Sequence, residues 1–131
     1  MSHWLKVQTE IRDLNVLEEA LHNLNPDIKL VQNVQARGYS GKTFEWVIRL
    51  PGLYDVGLTR PLGFSSANVW ELEADMWMGH VERVLGKNCE KLVQEYATVM
   101  LERQARRKGY LTRREKQDDG TVKLYVQEVG G

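Results

Sequence analysis

A chain of 131 residues with 18 acidic and 18 basic side chains, 42% apolar and 27% charged, has the make-up of one soluble globular domain spanning residues 1–131. Its zero net charge argues against a dedicated nucleic-acid domain, and no apolar run approaches the ~18 residues of a membrane span. Cys89 is the one cysteine, which excludes an intrachain disulfide and a multi-cysteine metal site and favours a reducing, cytoplasmic-type compartment. The opening MSHWLKVQTEIRD has neither the basic start nor the apolar segment of a signal peptide.

Residues 3–11 alternate, with His3, Leu5, Val7, Thr9 and Ile11 on one side, as a half-buried strand does. Asp13 then caps a short helix in which Leu14, Leu17, Leu21 and Leu24 recur at helical spacing. Asn25-Pro26 ends it, because the residue before a proline is pushed out of the helical region. A second strand spans 28–36. Gly38, Ser40 and Gly41 mark a loop, and a third strand follows with Phe44, Trp46, Ile48 and Leu50 on one face and Thr43, Glu45, Val47 and Arg49 on the other. Pro51-Gly52 is a turn, and 55–59 makes a fourth strand in which Gly57 marks a bulge or a close approach. Residues 60–68 read as an exposed connection. Residues 69–77 alternate again, with Trp70, Leu72, Ala74 and Met76 facing one way, until Gly79 breaks the strand and a short helical segment begins near His80.

The segment 88–109 is the principal core-builder. Its apolar residues define a broad stripe, with Asn88 as N-cap and Gly109 as the stop. The stripe predicts Leu92, Tyr96, Met100 and Leu101 buried against a sheet, with Lys91, Glu95, Glu102 and Arg106 facing water. The C-terminus reads as a hairpin around Asp118-Asp119-Gly120. A three-residue loop with Gly120 in the left-handed conformation sets Glu115 opposite Lys123 and Arg113 opposite Tyr125. The whole pattern predicts an α+β fold: a mostly antiparallel sheet of about five or six strands, one short and one long helix packed on it, and a C-terminal β-hairpin.

Charge is uneven along the chain. Residues 1–79 carry seven Lys/Arg against ten Asp/Glu, and residues 80–131 carry eleven against eight. The basic excess gathers at Arg103, Arg106, Arg107, Lys108, Arg113, Arg114 and Lys116. Such a patch suits an acidic partner or a phosphate backbone, although cations at a helix C-terminus also complement its dipole.

Motifs for catalysis are missing: there is no phosphate loop, no nucleophile elbow and no zinc-binding helix signature. No catalytic residue, metal ligand set or cofactor is therefore expected, and the balance falls against an enzyme. Cys89 in a first helical turn reads as a small buried side chain. Trp4 and Trp77 fall on the more polar faces of their strands, where they would form an exposed binding surface.

The opening Met1-Ser2-His3-Trp4, Arg37-Gly38-Tyr39 with Gly41, Asp55-x-Gly57, and Glu71-Leu72 with Ala74-Asp75-x-Trp77 occur in an order and spacing that resembles the hypothetical chloroplast reading frame thirty-five family. This is a set of small uncharacterised domains of algal plastids and cyanobacteria, with bacterial relatives. The resemblance covers nearly the whole chain. It implies no established reaction, a cytoplasmic or plastid-stromal location, and a loose link to ATPases as partners. Convergence of His3, Arg37, Asp55 and Asp75 in one cleft would make a polar site. Three functions are thus in view. The first is an accessory or adaptor protein that binds a protein partner through Trp4, Trp77 and the Tyr39 loop. The second is nucleic-acid binding through the basic helix end and hairpin. The third is a small-ligand or enzymatic site at His3, Arg37, Asp55 and Asp75. Pairing of two copies through an edge strand is a further expectation.

Overall fold

The computed structural model describes residues 4–38, 41–60 and 68–128. His3, Tyr39 and most of the 60–68 connection therefore lie outside the described residues. The chain divides into two compact units, Met1–Tyr96 and Ala97–Gly131, with the division falling inside the long helix.

The first unit is built on an antiparallel five-stranded sheet of order β1-β5-β4-β3-β2. The strands are β1 (Trp4–Val7), β2 (Lys29–Gln35), β3 (Thr43–Arg49), β4 (Val56–Thr59) and β5 (Glu71–Asp75). Strands β2 to β5 form a meander of consecutive neighbours. Helix α1 (Leu14–Leu24) carries the chain from β1 at one edge to β2 at the other. Asp13 caps α1 as expected, its carboxylate accepting from the Asn15 and Val16 amides. The helix buries Val16, Leu17, Ala20 and Leu21, the apolar stripe that makes this short element stable.

Residues paired across antiparallel strands share a face. Leu5, Ala74, Val56, Ile48 and Leu30 form one such row, and Val7, Leu72, Leu58, Trp46 and Gln32 the next. These rows make the apolar face. The opposite face carries Lys6, Glu73, Gly57, Val47 and Val31 in one row. Strand β5 is buried on both faces, since Glu73 and Asp75 are as hidden as Leu72 and Ala74.

Phe44 departs from the expected alternation. It packs with Val47, Ala36, Val31 and Val34, not on the face of Ile48. Asn33, opposite the Glu45 position of β3, adopts φ 57°. A left-handed residue inside a strand interrupts the two-residue period, so Val34 and Phe44 join the face of Val31 and Val47.

A turn at Trp77–Gly79, a short helix α2 (Glu82–Leu85) and a turn at Lys87–Cys89 lead into helix α3 (Glu90–Arg107). Asn88 is not the N-cap. Asn88 and Cys89 both have positive φ, 53° and 60°, so regular helix starts only at Glu90. Within the first unit, Leu92 is fully buried, and the buried Tyr96 hydroxyl accepts the Arg12 and Asp13 amides at 3.0 Å each. No described helix is long and apolar enough to cross a membrane.

The second unit comprises the rest of α3 and a hairpin of β6 (Leu111–Lys116) and β7 (Val122–Gln127). Gly109, with φ 80°, stops the helix as expected. Its amide reaches Arg106 O, and that of Tyr110 reaches Ala105 O, the paired bonds of a left-handed C-terminal cap. The hairpin has the expected three-residue loop: Glu115 faces Lys123, Arg113 faces Tyr125, and Gly120 has φ 88°. Two helical positions reverse the expectation. Leu101 is 53% exposed, whereas Glu102 is buried because Arg114 neutralises it through bonds of 2.6 and 2.9 Å. Met100 is half-buried, and Val99 takes the fully buried position.

Candidate functional site

One end of the five-stranded sheet gathers the start of β1, the end of β5, the β3–β4 turn and the start of β2. Asp55, immediately before β4, is its organising charge. The Asp55 side chain is wholly buried. It accepts from Arg37 Nη2 at 2.8 Å, from Arg37 Nε at 3.1 and 3.2 Å, and from the Arg37 amide at 2.7 Å. Arg49 Nη1 at 3.3 Å and the Leu50 amide at 3.2 Å complete its shell. Arg37 Nη2 also donates to Leu50 O at 2.6 Å. Bonding to the carboxylate raises the Arg37 pKa further above its ordinary value, against the lowering effect of burial. The 36–38 segment is thereby clamped to the β3–β4 turn, and Asp55 N returns a bond to Arg37 O.

Of the residues expected to converge, Arg37 and Asp55 meet directly. Asp75 ends β5 one position beyond the Val56–Ala74 pair, on the side of Asp55 away from Arg49. Its Oδ1 accepts the Trp77 amide at 3.0 Å. A carboxylate filled in this way by Arg37, Arg49 and the backbone holds geometry and is poorly suited to taking a proton from a substrate. No group of three or more His, Cys, Asp or Glu among the described residues could hold a metal ion.

The same end exposes apolar surface. Leu53 is 67% exposed, Met78 64% and Trp4 38%. Trp77 is half-buried. The Tyr54 ring stacks on His80 at 4.7 Å, which ties the β3–β4 turn to the segment after Met78. Met78 itself has φ 58°, a costly conformation for a long side chain that sharpens the turn. Trp70, by contrast, is buried under the Arg60 guanidinium, 4.2 Å from its ring.

Arg49, Lys42, Leu53 and Met78 escaped the sequence reading. Arg49 was legible in principle, because a tight Pro51-Gly52 turn sets β3 against β4 and brings Arg49 opposite Asp55. Lys42 reaches Glu73 at 3.1 Å on the polar face, a pairing that depends on register across two strands.

Residues 20–125 match a family described as "Protein of unknown function (DUF1257)". The chain belongs to that family. It is also similar to the "Uncharacterized protein ycf35" of Pyropia yezoensis, with 30% identity over 135 residues and 97% of each chain covered. No solved structure matches. This is the family that the order of motifs resembled. In this DUF1257 chain the motif residues Arg37, Asp55, Asp75 and Trp77 all fall at the sheet end just described.

The basic patch lies in the second unit. Arg114 is paired with Glu102, while Arg113 meets Glu115 at 3.2 Å and lies 4.5 Å over the Tyr125 ring. Arg106, Arg107, Lys108 and Lys116 are exposed, and Arg103 is half-buried.

Proposed function

We propose that the chain is a non-enzymatic accessory protein that binds a protein partner through the Trp4–Leu53–Met78 end of its five-stranded sheet. The observation that carries this reading is the exposure of these three large apolar side chains at one end, where a backbone strained at Met78 presents one of them. Exposed apolar groups gathered beside a rigid charged cluster are the composition of a recognition surface. Plastid stroma or cytoplasm is the compartment that accompanies this reading, and an ATPase is one partner to look for. It is preferred to nucleic-acid binding because two of the basic residues, Arg113 and Arg114, pair with glutamates. It is preferred to a catalytic site because Asp55 is filled by its own neighbours.

The test is affinity capture from the native cell with the tagged chain as bait, compared with a Trp4→Ala/Met78→Ser double variant. The expected result is a partner retained by the parent chain and lost by the variant, with the variant still unfolding in one cooperative urea transition. Equal capture by both chains would overturn the proposal.

A further inference from the structure

The cations around Asp55 outnumber it. Arg37 commits Nε and Nη2 to Asp55 and Leu50 O, so its Nη1 has no partner among the described residues. Arg49 commits only Nη1, which leaves Nε and Nη2 in the same condition. Lys29 is the direct cross-strand partner of Arg49, is exposed, and brings a third positive charge to the same face. Like charges set opposite each other across strands repel. The nearby acids relieve this pair only in part. Asp55 is shared between the two arginines, Glu73 is engaged by Lys42, and Asp75 lies a strand beyond Asp55. Asp27, in the turn before β2, makes no ion pair among the described residues.

We propose that Arg37, Arg49 and Lys29 form a receptor for a carboxylate carried by the docking segment of the protein partner, with Leu53 receiving an adjoining apolar side chain. The inference rests on the partner-binding reading and names the chemistry of the partner: an acidic, apolar-flanked segment. Three features support it. The guanidiniums are anchored from behind by a buried acceptor, so their outward N–H edges are held in place before a ligand arrives. Their side chains are 42% and 31% exposed, open enough to be reached yet partly stripped of water, where charge-assisted hydrogen bonds gain strength. The excess positive charge also adjoins the exposed Leu53 in the turn between Arg49 and Asp55, so charged and apolar recognition share one loop.

The carboxylate has two sources, an acidic side chain or the terminus of a chain, and three probes separate them. The nitrogen-15-labelled protein is titrated with sodium acetate, with sodium chloride at matched ionic strength as control, while arginine Nε–H signals are followed. Amino-blocked tripeptides containing leucine and tryptophan are then compared: one with an aspartate and an amidated end, one with no acidic side chain and a free terminal carboxylate, and one uncharged throughout. Acetate should shift the Arg37 and Arg49 signals saturably and leave Arg106 unmoved, and one of the two charged peptides should bind more tightly than acetate. Arg49→Gln should weaken acetate binding by at least about fivefold, as expected for loss of a charge-assisted hydrogen bond. Lys29→Gln, at an exposed position whose side chain makes no bond among the described residues, should weaken it by roughly threefold without lowering the unfolding midpoint. Acetate shifts no larger than those of chloride, or equal binding of the neutral and charged peptides, would overturn the inference. No partner is present in this experiment, so its failure would leave the Trp4/Met78 capture comparison standing on its own.

Discussion

The Phe44 ring lies across Gly57, its Cδ1 only 2.4 Å from where a Cβ on that glycine would stand. Gly57 is needed for space. Gly57→Ala should push the ring off its packing with Val47 and Ala36 and cost about 1–3 kcal/mol, the range for overpacking a filled core. Combining it with Phe44→Leu should recover part of that loss, because the two sites share one volume. Urea unfolding of the two single variants and the double variant measures the coupling, and strict additivity would show that the ring moves aside freely.

Asp55 holds two guanidiniums and two backbone amides. Asp55→Ala should cost about 3 kcal/mol, the low end for breaking a buried ion pair, because the Arg37 and Arg49 heads reach water. The larger local effect should be on the 36–38 segment, whose amide hydrogens should exchange faster once the clamp is gone. A variant with parent-like stability and exchange would remove Asp55 from its organising place.

Tyr96→Phe removes one oxygen and leaves the Arg12 and Asp13 amides without their acceptor. The expected loss is about 1–2 kcal/mol, moderated because this stretch is only partly buried and water can substitute. Denaturant unfolding followed by tryptophan fluorescence gives the number directly.

The bidentate bond from Arg114 holds the Glu102 carboxyl below its ordinary value of 4.5, aided by the charges of Arg114 and Arg106 and opposed by burial. A carboxylate whose folded value lies below its unfolded one stabilises the fold fully above the unfolded value. That contribution is lost as the pH falls through the folded value. Glu102→Gln should therefore flatten the acid limb of stability against pH below about 4.5 while leaving its shape near neutrality unchanged. Unfolding midpoints collected from pH 7 downwards test this, and parallel acid limbs for the two proteins would count against the pair.

Burial pushes the Cys89 thiol up to about 12. Nucleophilic attack requires the thiolate, so the folded protein should resist an aromatic disulfide reagent at pH 8 and react promptly in denaturant. Rapid labelling of the native chain would mean that the Lys87–Cys89 turn opens.

Local patterns carried much of the architecture. Asp13 capping α1, Gly109 closing α3 and Gly120 setting the hairpin register each depend on one residue's conformational preference, which is written in that residue. What escaped depends on other parts of the chain. Glu102 looks solvated in a helical wheel and is buried only because Arg114 meets it. Phe44 changes face because Asn33, on another strand, breaks the alternation. At the candidate site the acid and one of its cations, Asp55 and Arg37, were both named from the sequence. The second cation, Arg49, required a hairpin register, and the exposure of Leu53 and Met78 required knowing what fails to cover them.

The strand order bears on how the protein is made. Strands β2 to β5 neighbour one another in sequence and can zip up as successive hairpins with short closures. Strand β1 cannot, because Trp4 finds its partner only at Asp75. On a ribosome the first strand synthesised is the last to be seated, and it waits until nearly the whole meander has emerged. Through that interval β1 is the strand left unpaired, with its edges bare to the surroundings. The arrival of Trp4 beside Asp75 is the event that seals it.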